Sequence, residues 1–201
     1  MAIIKFLDKQ LVATITGCIA EERASQKRFY FNYYGFAIAV CRKYIWQDDT
    51  LQEVVNDAFL KIFRALHGFS IPEQHADLVL KGWMRRILVN TSIDRLRKDK
   101  ALLLEEPFFT GQEEKEHALT SKPEDSLGYK ELLQFISNLS PAYRLVFNLH
   151  VLDGYTHDEI AAMLNISAGS SKSNLAKARA KLKKMISDAG KTKENYAERA
   201  G

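Results

Sequence analysis

Cysteine is scarce. Cys18 and Cys41 are the two in 201 residues. Neither belongs to a CxxC pair, and no His/Cys cluster has zinc spacing. That argues against a disulfide scaffold or a zinc ribbon and reads as two reduced thiols packed in helices. Long apolar runs are absent as well. No stretch approaches the roughly 20 residues that cross a bilayer, so no membrane insertion is expected. The start, MAIIKFLDKQ, has Asp8 and Lys9 interrupting its apolar residues. It does not read as a signal peptide, and a cytoplasmic location is expected. The motifs GxxxxGK, HExxH and GxSxG are missing. The 5 histidines, among them His117, His150 and His157, are scattered and read as solvated or capping. No catalytic residue, no cofactor and no metal are expected; the chain does not read as an enzyme.

Helix-breaking residues are few, with 4 prolines and 10 glycines, and no long stretch alternates with period two. The hydrophobic fraction of 46% supports buried cores. The net charge of +4 permits nucleic-acid binding without demanding it. The chain therefore reads as all-α. Helices are expected over about 11–20, 21–44, 51–66 and 78–100. In the third, Leu51, Val54, Val55, Ala58, Phe59, Ile62, Phe63 and Leu66 follow the i, i+3, i+4, i+7 rule. Thr50 and Glu53 have capping-box spacing at its start. Its opposite face carries Gln52, Glu53, Asn56, Asp57, Lys61 and Arg64. The aromatics Phe29, Tyr30, Phe31, Tyr33, Tyr34 and Phe36 in the second helix read as bundle core.

After Leu104 the character changes. Residues 105–126 are acidic and weakly patterned, a flexible linker that divides 1–104 from a second small helical domain, 127–188. That domain opens with a helix over 127–138. Ser140-Pro141 starts the next one, with Leu145, Val146, Leu149, Val151 and Leu152 as its apolar face. Thr156 to Glu159 is a second capping box, Asn165 suits a left-handed helix end, and Ser167 caps a last helix through about Ser187. Residues 189–201 read as a polar, frayed tail.

Thr156 to Lys184 is a helix-turn-helix pattern. Its second helix opens on Gly169, Ser170, Ser171, Lys172, Ser173 and Asn174, short polar side chains of the kind that meet base edges in a major groove. Lys177, Arg179, Lys181, Lys183 and Lys184 follow round the helix. A second basic segment, LKGWMRRILVNTSIDRLRKDK, carries Lys81, Arg85, Arg86, Arg95, Arg97, Lys98 and Lys100. Met84, Ile87, Leu88 and Thr91 can form its buried stripe. Trp83 reads as a core anchor or as part of a surface on which separated strands stack; helical phase allows both.

These pieces, in this order, resemble the extracytoplasmic-function group of RNA polymerase sigma factors. DDTLQEVVNDAFLKIFRAL and GWMRRILVNTSIDRLRK are similar to sigma region 2. LSPAYRLVFNLHVLDGYTHDEIAAMLNISAGSSKSNLAKARAKLKK is similar to region 4. The resemblance spans about Leu11 to Ile186, and no extra domain is evident. It implies a factor that binds core polymerase and directs promoter-specific initiation. Gln52, Glu53, Asn56, Asp57 and Lys61 would dock on the clamp of the largest subunit, and the flap is a further polymerase contact implied. The loop from about His67 to Val79, with Lys81, Trp83, Arg86, Asn90 and Arg97, would recognise and melt the −10 element. Ser170, Ser171, Lys172, Ser173, Ala176, Lys177 and Arg179 would meet the −35 duplex. Promoter DNA and an anti-sigma factor are the further partners implied. The chain departs from the common pattern at Gly169-Ser170-Ser171, where Gly-Thr-Val is frequent, and at Asn165, where glycine is. It also departs at the small Ala176 and in a loop without the Gly-Asp-type signature. Those departures bear on which promoter is read. Two other readings fit parts of the pattern. A stand-alone regulator would bind duplex DNA without polymerase, and a sequestering module would never touch DNA.

Overall fold

In the computed structural model, the backbone is described over residues 2–72, 74–98 and 127–199, and side chains over 9–72, 74–98 and 131–189. The linker expected at 105–126 lies outside the described residues. The chain divides into two compact units, Met1–Asp99 and Lys100–Gly201.

The first unit is built from α1 (Ala2–Ile19), α2 (Arg23–Cys41), α3 (Asp48–Ala65) and α4 (Ala76–Lys98). The α3 stripe buries as its spacing predicts, with Leu51, Val54, Val55, Ala58, Phe59 and Ile62 inside. Its start differs. Gln47 is the N-cap and Thr50 already lies in the first turn, its hydroxyl donating to Gln47 Oε1 at 3.2 Å. Asp48 and Asp49 suit the helix N-terminus electrostatically, so the helix begins at them rather than after Thr50.

Phe29 is fully buried. Its ring meets Tyr33 at 4.8 Å, Phe63 at 5.7 Å and Phe59 edge-on at 6.5 Å. Offset and edge-on contacts of this kind add to the area such rings bury. The aromatic run is nevertheless only partly core: Phe31 is 66% exposed. Met84, Leu88 and Thr91 of α4 are buried as expected, together with Leu80 and Ser92, whereas Ile87 is only half-buried. Burial pushes both cysteine thiols up to about 11, which keeps them protonated.

The second unit contains α5 (Leu127–Ser137), α6 (Pro141–Phe147), α7 (His157–Leu164) and α8 (Ala168–Arg199). Ile136 and Leu139 meet Ala178 and Leu182 in its core. After α6 the chain widens into a π turn, Asn148–Leu152, closed by the Asp153 amide donating to the Asn148 carbonyl at 3.0 Å. The wide turn shifts the helical phase. Val151 and Leu152 are therefore exposed, at 45% and 40%, instead of extending the apolar face. The Thr156–Glu159 capping box forms in both directions. Asn165 takes the left-handed conformation at φ 53°, ψ 48°. The Ser167 hydroxyl accepts from the Ser170 amide at 2.9 Å, capping α8. That helix runs to Arg199, beyond the tail boundary expected at 189. After Gly190 most residues are lysine, glutamate, alanine or arginine, and no proline stops the helix.

Two stability effects follow. Phe29→Ala should lower the first unit's stability by about 3–5 kcal/mol, because the site is ringed by other aromatics and cannot collapse. Asn165→Ala should cost the second unit about 1 kcal/mol, and Asn165→Gly far less, because only the alanine pays for a Cβ at positive φ. Chemical denaturation of the full chain measures both.

Candidate nucleic-acid interface

Three groups of side chains were expected to act, and the folded units treat them differently. Gln52, Glu53, Asn56, Asp57 and Lys61 are all exposed along α3. Three of them are tied to neighbouring helices. Glu53 pairs with Arg95 of α4 at 2.7 Å, Lys61 pairs with Asp94 at 3.3 Å, and Asn56 accepts from the Tyr30 hydroxyl of α2 at 3.0 Å. Exposed pairs of this kind contribute about 0.2–1 kcal/mol each. Their larger effect is to hold long side chains in one arrangement. Leu60, 55% exposed, lies amid this polar face. A leucine out of phase with the apolar stripe was the signal for it in the sequence.

On α4, a residue every 100° of turn places Trp83, Arg86, Asn90 and Arg97 within an arc of about 60°. Arg86, Asn90 and Arg97 are exposed, while Trp83 is half-buried and packs tilted against Phe69 at 5.0 Å between ring centroids. Trp83 thus combines the two readings: one side packs on the chain before α4, and part of the ring remains open. Arg97 lies 3.9 Å from Asp94. Lys81 is not with this group. It sits about 140–180° round the helix from Arg86 and Asn90, in an ion pair with Asp77 at 2.7 Å. Arg85 is likewise turned aside, with its guanidinium 5.9 Å from the Phe36 ring centroid. Leu78 and Val79, 70% and 44% exposed, open the helix with apolar surface next to the loop. They had no signal beyond their place at the loop end.

The helix-turn-helix is formed by α7, the tight turn at Asn165–Ser167, and α8. Ser171, Leu175, Ala178 and Leu182 are the buried seam of α8. Ser170, Ser173, Ala176 and Lys177 are exposed on the outer side, and Lys172 and Arg179 lie on a flank. Ser171 must be taken off the set of duplex contacts. It is fully buried, with its hydroxyl 2.9 Å from His157 Nδ1. It fixes the approach of α8 to α7 from inside.

His157 and His150, expected to be scattered, stack face to face at 4.4 Å with 14° between planes. The His150 Nδ1 donates to the Tyr155 carbonyl at 2.8 Å, which sets its tautomer. Desolvation first, then the neighbouring His150, Lys172 and Arg179, hold the His157 pKa below the ordinary histidine value, against an opposing pull from Asp158. A loop-separated histidine pair leaves no periodic trace, so only the folded turn reveals it.

The geometry defines a class: two helical units, one with a helix-turn-helix whose second helix is basic outside, the other with a basic, aromatic-bearing helix beside an exposed polar face. Sigma-70 region 2 matches residues 29–101 and Sigma-70, region 4 matches residues 129–182. The chain belongs to the sigma-70 family, as an extracytoplasmic-function (ECF) RNA polymerase sigma factor. It directs promoter-specific transcription initiation. The ECF RNA polymerase sigma-E factor of Escherichia coli K12 is 29% identical over 173 residues, covering 79% of this chain and 86% of that protein. The ECF sigma factor SigW of Bacillus subtilis strain 168 is 27% identical over 162 residues, covering 74% and 82%. Among solved structures, the sigma factor RpoE in complex with the anti-sigma factor NepR from Bartonella quintana matches at 19% identity and a TM-score of 0.47. That match covers 80% of this chain and 96% of that one. Among the described residues, no helix is long and apolar enough to cross a membrane.

The histidine pair gives a direct check. His157 should titrate below the ordinary histidine range, and His150→Gln should move it back up by removing a neighbouring positive charge. Proton and nitrogen NMR titration of the imidazoles reads both. The sign follows for stability. The group's contribution is full above the unfolded histidine value and is lost as pH falls through the lowered folded value.

Proposed function

We propose that the two units divide the work of initiation between them. The first would bind core polymerase through Gln52, Glu53, Asn56, Asp57 and Lys61, on the clamp of the largest subunit. It would also open the −10 element along the α4 face of Trp83, Arg86, Asn90 and Arg97. The second would engage the flap and read the −35 duplex with Ser170, Ser173, Ala176 and Lys177, while Lys172 and Arg179 touch phosphates. Phosphate contacts set register and base contacts set sequence, so the short serines and the charged flank would have different tasks. A base turned out of the stack exposes edges a duplex hides, which makes reading and opening one event. In this reading 1–104 and 127–188 are the working domains and 105–126 is an acidic tether lying in a basic polymerase channel. An anti-sigma factor that masks both surfaces would be a further partner. No catalytic step is assigned to the chain.

The observation that carries the reading is that both sigma regions match in order, and that each then presents a basic face on a helix whose other side is core. Run-off transcription with purified core polymerase, this protein and genomic DNA tests it. Discrete transcripts that depend on the protein are expected. The absence of any specific transcript, together with the absence of a stable complex with core enzyme, would overturn it. Reversing the charge of Lys172 and Lys177 should abolish promoter-specific initiation and spare core binding. Substituting Asn56 and Asp57 should weaken core binding and spare any intrinsic affinity for the −35 duplex. Equal effects on both functions in either variant would count against the division of labour.

A further inference from the structure

Asp77 lies at the start of α4, two residues after His75, which holds a left-handed backbone at φ 57°. A non-glycine residue at positive φ is uncommon and persists only where its surroundings hold it. Two side chains grip Asp77. The Tyr33 hydroxyl donates to one carboxylate oxygen at 2.8 Å, and Lys81 Nζ donates to the other at 2.7 Å. Tyr33 is 6% exposed and belongs to α2, where its ring packs on Phe29 in the core. The hydroxyl is thus an inflexible donor, 44 residues away in sequence from the acid it holds. Burial works against the Asp77 carboxylate, but Lys81 and Tyr33 outweigh it and keep its pKa below the usual carboxylate range. The acid is therefore charged when it accepts both bonds, the condition under which such bonds are strongest.

The phase of α4 gives this cluster its meaning. Asp77 and Lys81 face the α2 side, and Trp83, Arg86 and Asn90 face the other. Trp83 is fixed from before the helix by Phe69. The first turns of α4 are thus clamped on one side and offered on the other. We propose that Asp77, held by Tyr33 and Lys81, is a positioning residue that sets the entry angle of α4 so that its far face meets the separated −10 strand, and that Lys81 serves this clamp rather than touching DNA. The inference rests on the reading of that far face as the −10 surface.

The test uses the full-length protein bound to core polymerase on a promoter identified by run-off transcription. Tyr33→Phe, Asp77→Asn and their double variant are compared for open-complex formation by permanganate reactivity, with core affinity and melting temperature measured alongside. Each single change should reduce open complex about two- to tenfold, the range of one net hydrogen bond. The double change should be no worse than the more severe single one, and core affinity should not move. A single-stranded oligonucleotide carrying the −10 sequence is then titrated at several salt concentrations. Arg86→Met should lower the slope of log affinity against log salt by about 0.7, the value of one lost phosphate contact on a single strand. Lys81→Met should reduce opening and leave that slope unchanged. Unchanged opening in Tyr33→Phe and Asp77→Asn, additive losses in the double variant, or a slope lowered by Lys81→Met would each overturn the clamp. An Arg86→Met protein that binds and opens as well as the parent would instead overturn the −10 face itself.

Discussion

Burial of one side on each of two basic helices governs which of their side chains these units can offer to a partner. In α4 the stripe runs through Leu80, Met84, Leu88 and Ser92; in α8 it runs through Ser171, Leu175, Ala178 and Leu182. A helix that commits one side to a core fixes the azimuth of every other residue, because the backbone allows no independent rotation. Lysines and arginines distributed all round a helix become two populations. Some are presented outward, and some are turned toward neighbouring helices or flanks.

The polar contacts between helices refine that division. Glu53 with Arg95, Lys61 with Asp94 and Tyr30 with Asn56 bind the exposed side of α3 to its neighbours. None is buried enough to contribute much to folding. They reduce the freedom of side chains that would otherwise have to be ordered when a partner arrives, and that ordering is a main cost of binding. In the second unit the His157–Ser171 bond plays the same part from inside, holding the recognition helix against α7 through a polar contact in an otherwise apolar seam. The stacked His150 ring places a second ionisable group beside it.

Several features were legible in the chain before it was folded, and the reason differs for each. The α3 core stripe was visible because four turns of i, i+3, i+4 spacing have no other use. The Thr156–Glu159 box, the Asn165 turn and the Ser167 cap were visible because capping is local chemistry, settled within four residues. The Thr50 start of α3 was misplaced for a related reason: Asp48 and Asp49, two residues earlier, are also good starters, and spacing alone does not rank them. The fate of Val151 and Leu152 was not legible, because a π turn changes the residue count per turn after the periodic pattern has been read.

By itself, the sequence determined the helical class, the order of the two sigma regions, the caps around the helix-turn-helix and the buried stripe of α3. All of these depend on neighbours within a few turns. Tertiary structure alone decided which polar residues are free to act. Ser171 went inside, Lys81 turned toward Asp77, His150 met His157 and Tyr33 reached Asp77 from another helix. Each of these depends on the distance between segments far apart in the chain or across a turn, and on which face is already taken by the core. Helical periodicity carries no information about the partner that a face will meet.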